Sequence, residues 1–297
     1  MCGIVGLYAK EPAFGERLGA HLADMLVEMS DRGPDSAGVA LYRQPAPADG
    51  LKLVLHGPEG TDWEDVRHAL AEAFDPHVSL ERRGSHTVVM LTAGLAALRS
   101  WLAEAQPALR LVSAGEVIEI FKEKGHPCEV VKQLTLRGLS GSHGLGHTRM
   151  ATESAVTTEH SHPFSTGLDL CLVHNGSLSN HNRLRARLRK AGVEIQTDND
   201  SEVAAGFLAW RLAEGDSLEE ALERGMTELD GFYTFAIGTK EGFAVLRDPI
   251  ACKHAVLAET DDWVAMATEY RAIATLPGAQ EARIWEPKPG QIYAWGA

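Results

Sequence analysis

A layered α+β class is predicted for this chain by three observations. Short strand-like runs gather near both ends, helical periodicity fills much of the interior, and the last runs follow one another like a meander. Strands grouped in this way argue for a layered α+β arrangement and against a wholly parallel sheet. The 297 residues are 44% hydrophobic and 23% charged, enough apolar material to bury a sizeable core.

In chain order, Gly3 to Tyr8 is the first expected strand. A helix follows in which Leu18, Leu22, Met25, Leu26 and Met29 share one face, and Arg32-Gly33-Pro34 stops it. Ala37–Tyr42 and Leu51–Leu55 read as strands around the loop Gln44-Pro45-Ala46-Pro47. From about 61 to 135 helices and strands alternate. Asp62–Phe74 and Leu95–Ala105 are helical in pattern; His86–Leu91, Leu109–Val112 and Val117–Lys122 are extended. His143–Arg149 and Asp169–His174 are strands. Helices are expected at Leu178–Ala191, Ser201–Leu212 and Leu218–Met226, then strands at Tyr233–Ile237, Gly242–Leu246, Ala255–Ala258 and Trp263–Ala267. Lys122-Glu123-Lys124 reads as a solvated face.

A net charge of −13 disfavours nucleic acid and anionic membrane as partners. No apolar run reaches the length of a membrane helix, and the amino end lacks a signal peptide's basic region, so a cytoplasmic location is expected. Cys2, Cys128, Cys171 and Cys252 form no Cys-x-x-Cys pair, so no zinc or iron–sulfur site is expected in this chain. Cys171 reads as a small buried hydrophobe; Cys128 and Cys252 carry no signal. His160-Ser161-His162 lacks a third metal ligand at a convincing spacing.

The chemistry centres on Cys2. A small second residue permits removal of the initiator methionine, which would leave a thiol and a free α-amine, of reference pKa about 8, on one residue. Nucleophile and general base are then supplied together. An acyl-transfer site also needs oxyanion donors. His174-Asn175-Gly176, expected where an apolar strand ends, offers an amide side chain and a glycine N–H, although taken alone an Asn-Gly turn is the commoner reason for such a pair. Arg149 would fork onto a substrate carboxylate. Asp200 would hold an ammonium, cap the following helix, or do both.

These segments resemble the class II, N-terminal-cysteine glutamine amidotransferases. Cys-Gly-Ile stands at 2–4, Arg-Gly-Pro-Asp-Ser-Ala-Gly at 32–38, Gly-His-Thr-Arg at 146–149, His-Asn-Gly at 174–176 and Asp-Ser-Glu at 200–202. Looser similarity runs through His162-Pro163-Phe164, Leu229-Asp230-Gly231 and Arg247-Asp248-Pro249. The resemblance implies one domain over 2–297, a four-layer αββα N-terminal-nucleophile sandwich carrying an α/β insertion at about 56–140. It implies Cys2 as nucleophile, Asn175 and Gly176 as the oxyanion hole, and Arg149, Thr152 and Asp200 as glutamine ligands. Met150 departs from the aromatic residue usual after the arginine.

In length and wording the chain is most similar to the amidotransferase subunit of N-methylglutamate synthase. That similarity implies partner subunits resembling glutamate synthase, with FMN and iron–sulfur clusters on those partners and no cofactor here. A stand-alone amide hydrolase and a catalytically silent regulatory or scaffolding subunit are the alternatives.

Overall fold

A computed structural model describes residues 2–151 and 156–296. Its centre is two stacked antiparallel sheets. The larger has seven strands in the order Arg283–Trp285, Val256–Glu259, Trp263–Ala267, Gly3–Ala9, His143–Arg149, Ser36–Tyr42 and Ile118–Lys124. The smaller has four: Ile292–Trp295, Phe243–Arg247, Gly231–Gly238 and Cys171–Leu178.

Side-chain alternation explains how both faces of the large sheet are buried. On the first strand Ile4 points between the sheets, where it joins Leu145, Val173, Val245 and Met266. Val5 and Leu7 point the other way, onto Leu22, Met25 and Leu26 of the helix Leu18–Glu28. The small sheet is covered outside by the helices His181–Lys190, Asp200–Ala213 and Leu218–Glu228, through Leu184, Leu188, Val203, Phe207 and Leu222. Helix, sheet, sheet, helix is the expected αββα order. Cys171 lies between the sheets, and burial pushes its thiol up to about 12.

A third sheet, Ser79–Arg83, His86–Leu91, Leu51–His56 and Arg110–Gly115, has its own core under the helices Trp63–Ala73 and Leu95–Ala105. Its strands span Leu51–Gly115, where the sequence pointed to an insert at about 56–140. The difference has a physical cause. Ile118–Lys124 leaves this sheet to become the edge of the large one, with Phe121 opposite Val39, and Pro127–Gln133 packs back on the Leu18–Glu28 helix.

Two local readings are corrected. The strand expected to end at His174 runs from Cys171 to Leu178, so Asn175-Gly176 lies within a β-ladder and not in a turn. Lys122 and Glu123 are buried, because the third sheet and the segment 156–163 cover the edge strand that carries them. No helix among the described residues is long and apolar enough to cross a membrane.

Candidate active site

A cleft of about 640 Å³ opens where the two sheets present Cys2 and the Cys171–Leu178 strand to each other. Cys2, Arg149, Asn175, Gly176 and Asp200 all line it. Thr152, the remaining residue singled out from the sequence, lies outside the described residues.

Two side chains grip the main chain of Cys2. Asn175 Nδ2 donates to its carbonyl oxygen at 3.2 Å, and Arg32 Nε donates to the same oxygen at 3.0 Å. Asn175 Nδ2 also donates to Thr268 Oγ1 at 3.2 Å, and that hydroxyl accepts from Ile4 N at 2.8 Å. The Cys2 thiol faces the carbonyl of Met150, with Sγ 3.9 Å away. Arg32 is itself held by an ion pair with Glu269. Asp35, in the same Arg-Gly-Pro-Asp block, accepts Ala151 N at 2.8 Å, so the block ties down both Cys2 and the chain that follows Arg149.

Gly176 follows Asn175 at φ +150°, a region favouring glycine. A Cβ there would also overlap the carbonyl oxygen of Phe232 on the neighbouring strand. Arg149 ends its strand opposite Ser36, buried, with its carbonyl accepting Asp35 N at 3.1 Å. Asp200 is the first residue of its helix; the cap is Asn199, whose side chain accepts Ser201 N at 2.8 Å. This corrects the capping role weighed for Asp200. Its carboxylate accepts Leu178 N through Oδ2 at 2.9 Å.

Beneath these groups lies a histidine cluster that the sequence did not assign. The His147 and His162 rings stack with centroids 4.0 Å apart. Burial pulls His147 down to about 3 and His162 well below its ordinary value, so both are neutral at pH 7. Neutral His147 donates from Nε2 to the carbonyl of His174 at 3.2 Å. His162 Nδ1 accepts His174 N at 3.4 Å, which turns its Nε2–H onto Ser201 Oγ at 3.2 Å. Ser201 Oγ also contacts His174 Nδ1 at 2.9 Å and Asp200 Oδ1 at 3.3 Å. Burial lowers His174 too, against the opposing pull of Asp200.

The pair His160 and His162 does not converge on a metal. His160 meets Asp198 at 3.0 Å while His162 turns inward, and no group of three or more His, Cys, Asp or Glu among the described residues is arranged to hold an ion. Cys252 and Lys253 also line the cleft, from the loop after Arg247-Asp248-Pro249. Arg32 stood within a quoted motif, but Thr268, Cys252 and Lys253 had no local sequence signal.

The arrangement offers a thiol, an amide donor beside it, a guanidinium and a carboxylate in one cleft, the set an acyl transfer from a zwitterionic amide requires. Residues 147–275 match a family described as a glutamine amidotransferase domain. The chain is 50% identical over 296 residues to the glutamine amidotransferase-like protein GlxB of Rhizobium meliloti (strain 1021), covering 99% of this chain and 98% of that one. It is 29% identical over 188 residues to the amidophosphoribosyltransferase of Methanocaldococcus jannaschii, covering 61% of this chain and 40% of that protein. Among solved structures, the glutamine phosphoribosylpyrophosphate amidotransferase of B. subtilis superposes with a TM-score of 0.61 at 19% identity, covering 99% of this chain. This chain spans about half of that enzyme, 47% of its length, and the likeness establishes the shared N-terminal-nucleophile fold. With fold, cleft and full-length similarity in agreement, the chain belongs to the class II glutamine amidotransferase family.

Proposed function

We propose that this chain hydrolyses glutamine to glutamate and ammonia through a thioester on Cys2, as the glutaminase component of an N-methylglutamate synthase-like complex. The observation that carries the glutaminase reading is the convergence of Cys2, Asn175, Gly176, Arg149 and Asp200 on one cleft.

The chemistry begins once Cys2 is the first residue. The α-amine takes the thiol proton as sulfur attacks the side-chain amide carbon of glutamine. The tetrahedral oxyanion is met by Asn175 Nδ2 and the Gly176 N–H. Both Asn175 N–H groups are engaged in the resting geometry, by Cys2 O and Thr268 Oγ1, so one contact is exchanged for substrate. Collapse expels ammonia with the proton held by the amine. Water then attacks the thioester, releasing glutamate and restoring the thiol. Arg149 takes the substrate carboxylate, Asp200 its ammonium, and Thr152 is assigned to the same pocket.

The finer reading rests on the resemblance to the N-methylglutamate synthase subunit, with FMN and iron–sulfur clusters on partners resembling glutamate synthase. Intact mass and glutaminase assay of wild type and Cys2→Ala, with and without co-expressed partner subunits, test both levels. Retained Met1, or activity surviving in Cys2→Ala, would sink the mechanism. Failure of flavin-containing chains to co-purify would favour a lone hydrolase.

A further inference from the structure

Lys122 sits on the edge strand of the large sheet, in a position where a charge is costly. Its ammonium donates to three main-chain carbonyls: Ser161 at 2.9 Å, Glu159 at 3.2 Å and Pro163 at 3.3 Å. The ring of Phe164 covers it, 4.5 Å from Nζ to centroid. Burial pulls the amine down to about 8, against the carboxylates of Glu202 and Glu159. Methionine would fill the same stem volume but leave these three carbonyls without their donor, so the lysine holds together the segment that carries them.

What the ammonium gathers is one short loop, and that loop carries His162. On its other side His162 reaches Ser201 Oγ at 3.2 Å and accepts His174 N at 3.4 Å. Ser201 contacts Asp200, and His174 precedes Asn175. The neighbouring strand makes room for this seat. Gly38 lies opposite Lys122, and a Cβ on it would overlap the carbonyl oxygen of His162. Glu202 ties down the segment just before Asp198, which lines the cleft, accepting Gln196 N at 2.8 Å and Thr197 N at 2.6 Å.

We propose that Lys122 is a positioning residue for the glutamine cleft, holding the 159–163 loop so that His162, through Ser201, seats Asp200 for the substrate ammonium. This rests on the glutaminase reading. Lys122 touches no substrate; its effect passes through His162.

Glutamine affinity, measured by calorimetry in the unreactive Cys2→Ala protein, is compared with and without Lys122→Met, alongside turnover kinetics of the variants carrying Cys2. The expected result is a tenfold rise in Kd and KM with kcat within threefold. Lys122→Arg should recover affinity to within threefold. Alkylation of Cys2 by iodoacetamide should change by less than twofold, since the thiol is not displaced. Adding Lys122→Met to His162→Ala should cost less than twofold further, because one variant already breaks the path. Unchanged glutamine affinity in folded Lys122→Met, or multiplicative losses in the double variant, would overturn the proposal. Should Lys122→Met not fold, Lys122→Gln removes the charge while keeping two N–H donors on a side chain one atom shorter; a threefold rise in Kd supports the proposal and no rise overturns it. Absence of glutamine binding with Lys122 intact would instead sink the glutaminase reading itself.

Discussion

Asn175 of the small sheet donates its side-chain amide to the main-chain oxygen of Cys2 at 3.2 Å, and so joins the two sheets at the point where the thiol emerges. The contact depends on two ladders. Asn175 is in register with Thr234, and Gly3 with Thr148. An amide held in this way stands beside the thiol before substrate arrives, and meets developing charge by exchanging one of its two contacts.

Asn175→Ala is therefore expected to lower kcat by about 10²–10³, with a smaller change in KM, as loss of one oxyanion donor does. Steady-state glutaminase kinetics would check this. A rise in KM with kcat preserved would assign Asn175 to ground-state binding.

Gly176→Ala should destabilise the fold as well as abolish turnover. The new Cβ meets the Phe232 carbonyl at a φ suited to glycine, and a cost of about 2–4 kcal/mol is expected from strain and displacement together. Urea denaturation reads it directly. A midpoint matching wild type would mean that the strand shifts freely.

Arg32→Lys keeps a positive charge but loses the planar fork that reaches both Cys2 O and Glu269. Hydrogen bonds to charged groups contribute about 1.5–3 kcal/mol, so kcat/KM should fall by roughly tenfold or more. Equal kcat/KM in the two proteins would remove Arg32 from the positioning of Cys2.

The buried histidines set an acid limit. His147 and His86 are pulled down to about 3, His143 to about 4 and His162 well below its usual value, each chiefly by burial. Their unfolded pKa is near 6.5, so between that pH and the folded value the unfolded chain binds more protons. Stability is full above pH 6.5 and falls as pH drops through this window, by about 1.4 kcal/mol per pH unit for each histidine. Calorimetric unfolding at pH 5 should show net proton uptake that disappears at pH 8. A melting temperature constant from pH 7 to 5 would contradict the buried neutral state.

Much of the secondary structure was legible locally. His86–Leu91, Leu95–Ala105, His143–Arg149 and Trp263–Ala267 fall where the apolar pattern put them, because each is buried along a continuous face. Ser79–Arg83, a mostly exposed strand of charged residues, had no such pattern and was missed. Arg283–Trp285 and Ile292–Trp295 are short edge strands with few buried residues, and were missed for the same reason.

By itself the sequence determined the chemical inventory of this protein: a second-position cysteine followed, in order, by Arg149, Asn175-Gly176 and Asp200. Those identities follow from residue type and order alone. Only the tertiary structure decided which neighbours complete the cleft. Arg32, in the turn after the Leu18–Glu28 helix, and Thr268, just past the Trp263–Ala267 strand, come together near Cys2 although far apart in the chain, because the Gly3–Ala9 strand pairs with Trp263–Ala267 and packs on that helix. It also decided that Lys122 is buried beneath the cleft. A charge run looks solvated when read locally; whether water reaches it depends on what the rest of the chain lays over it.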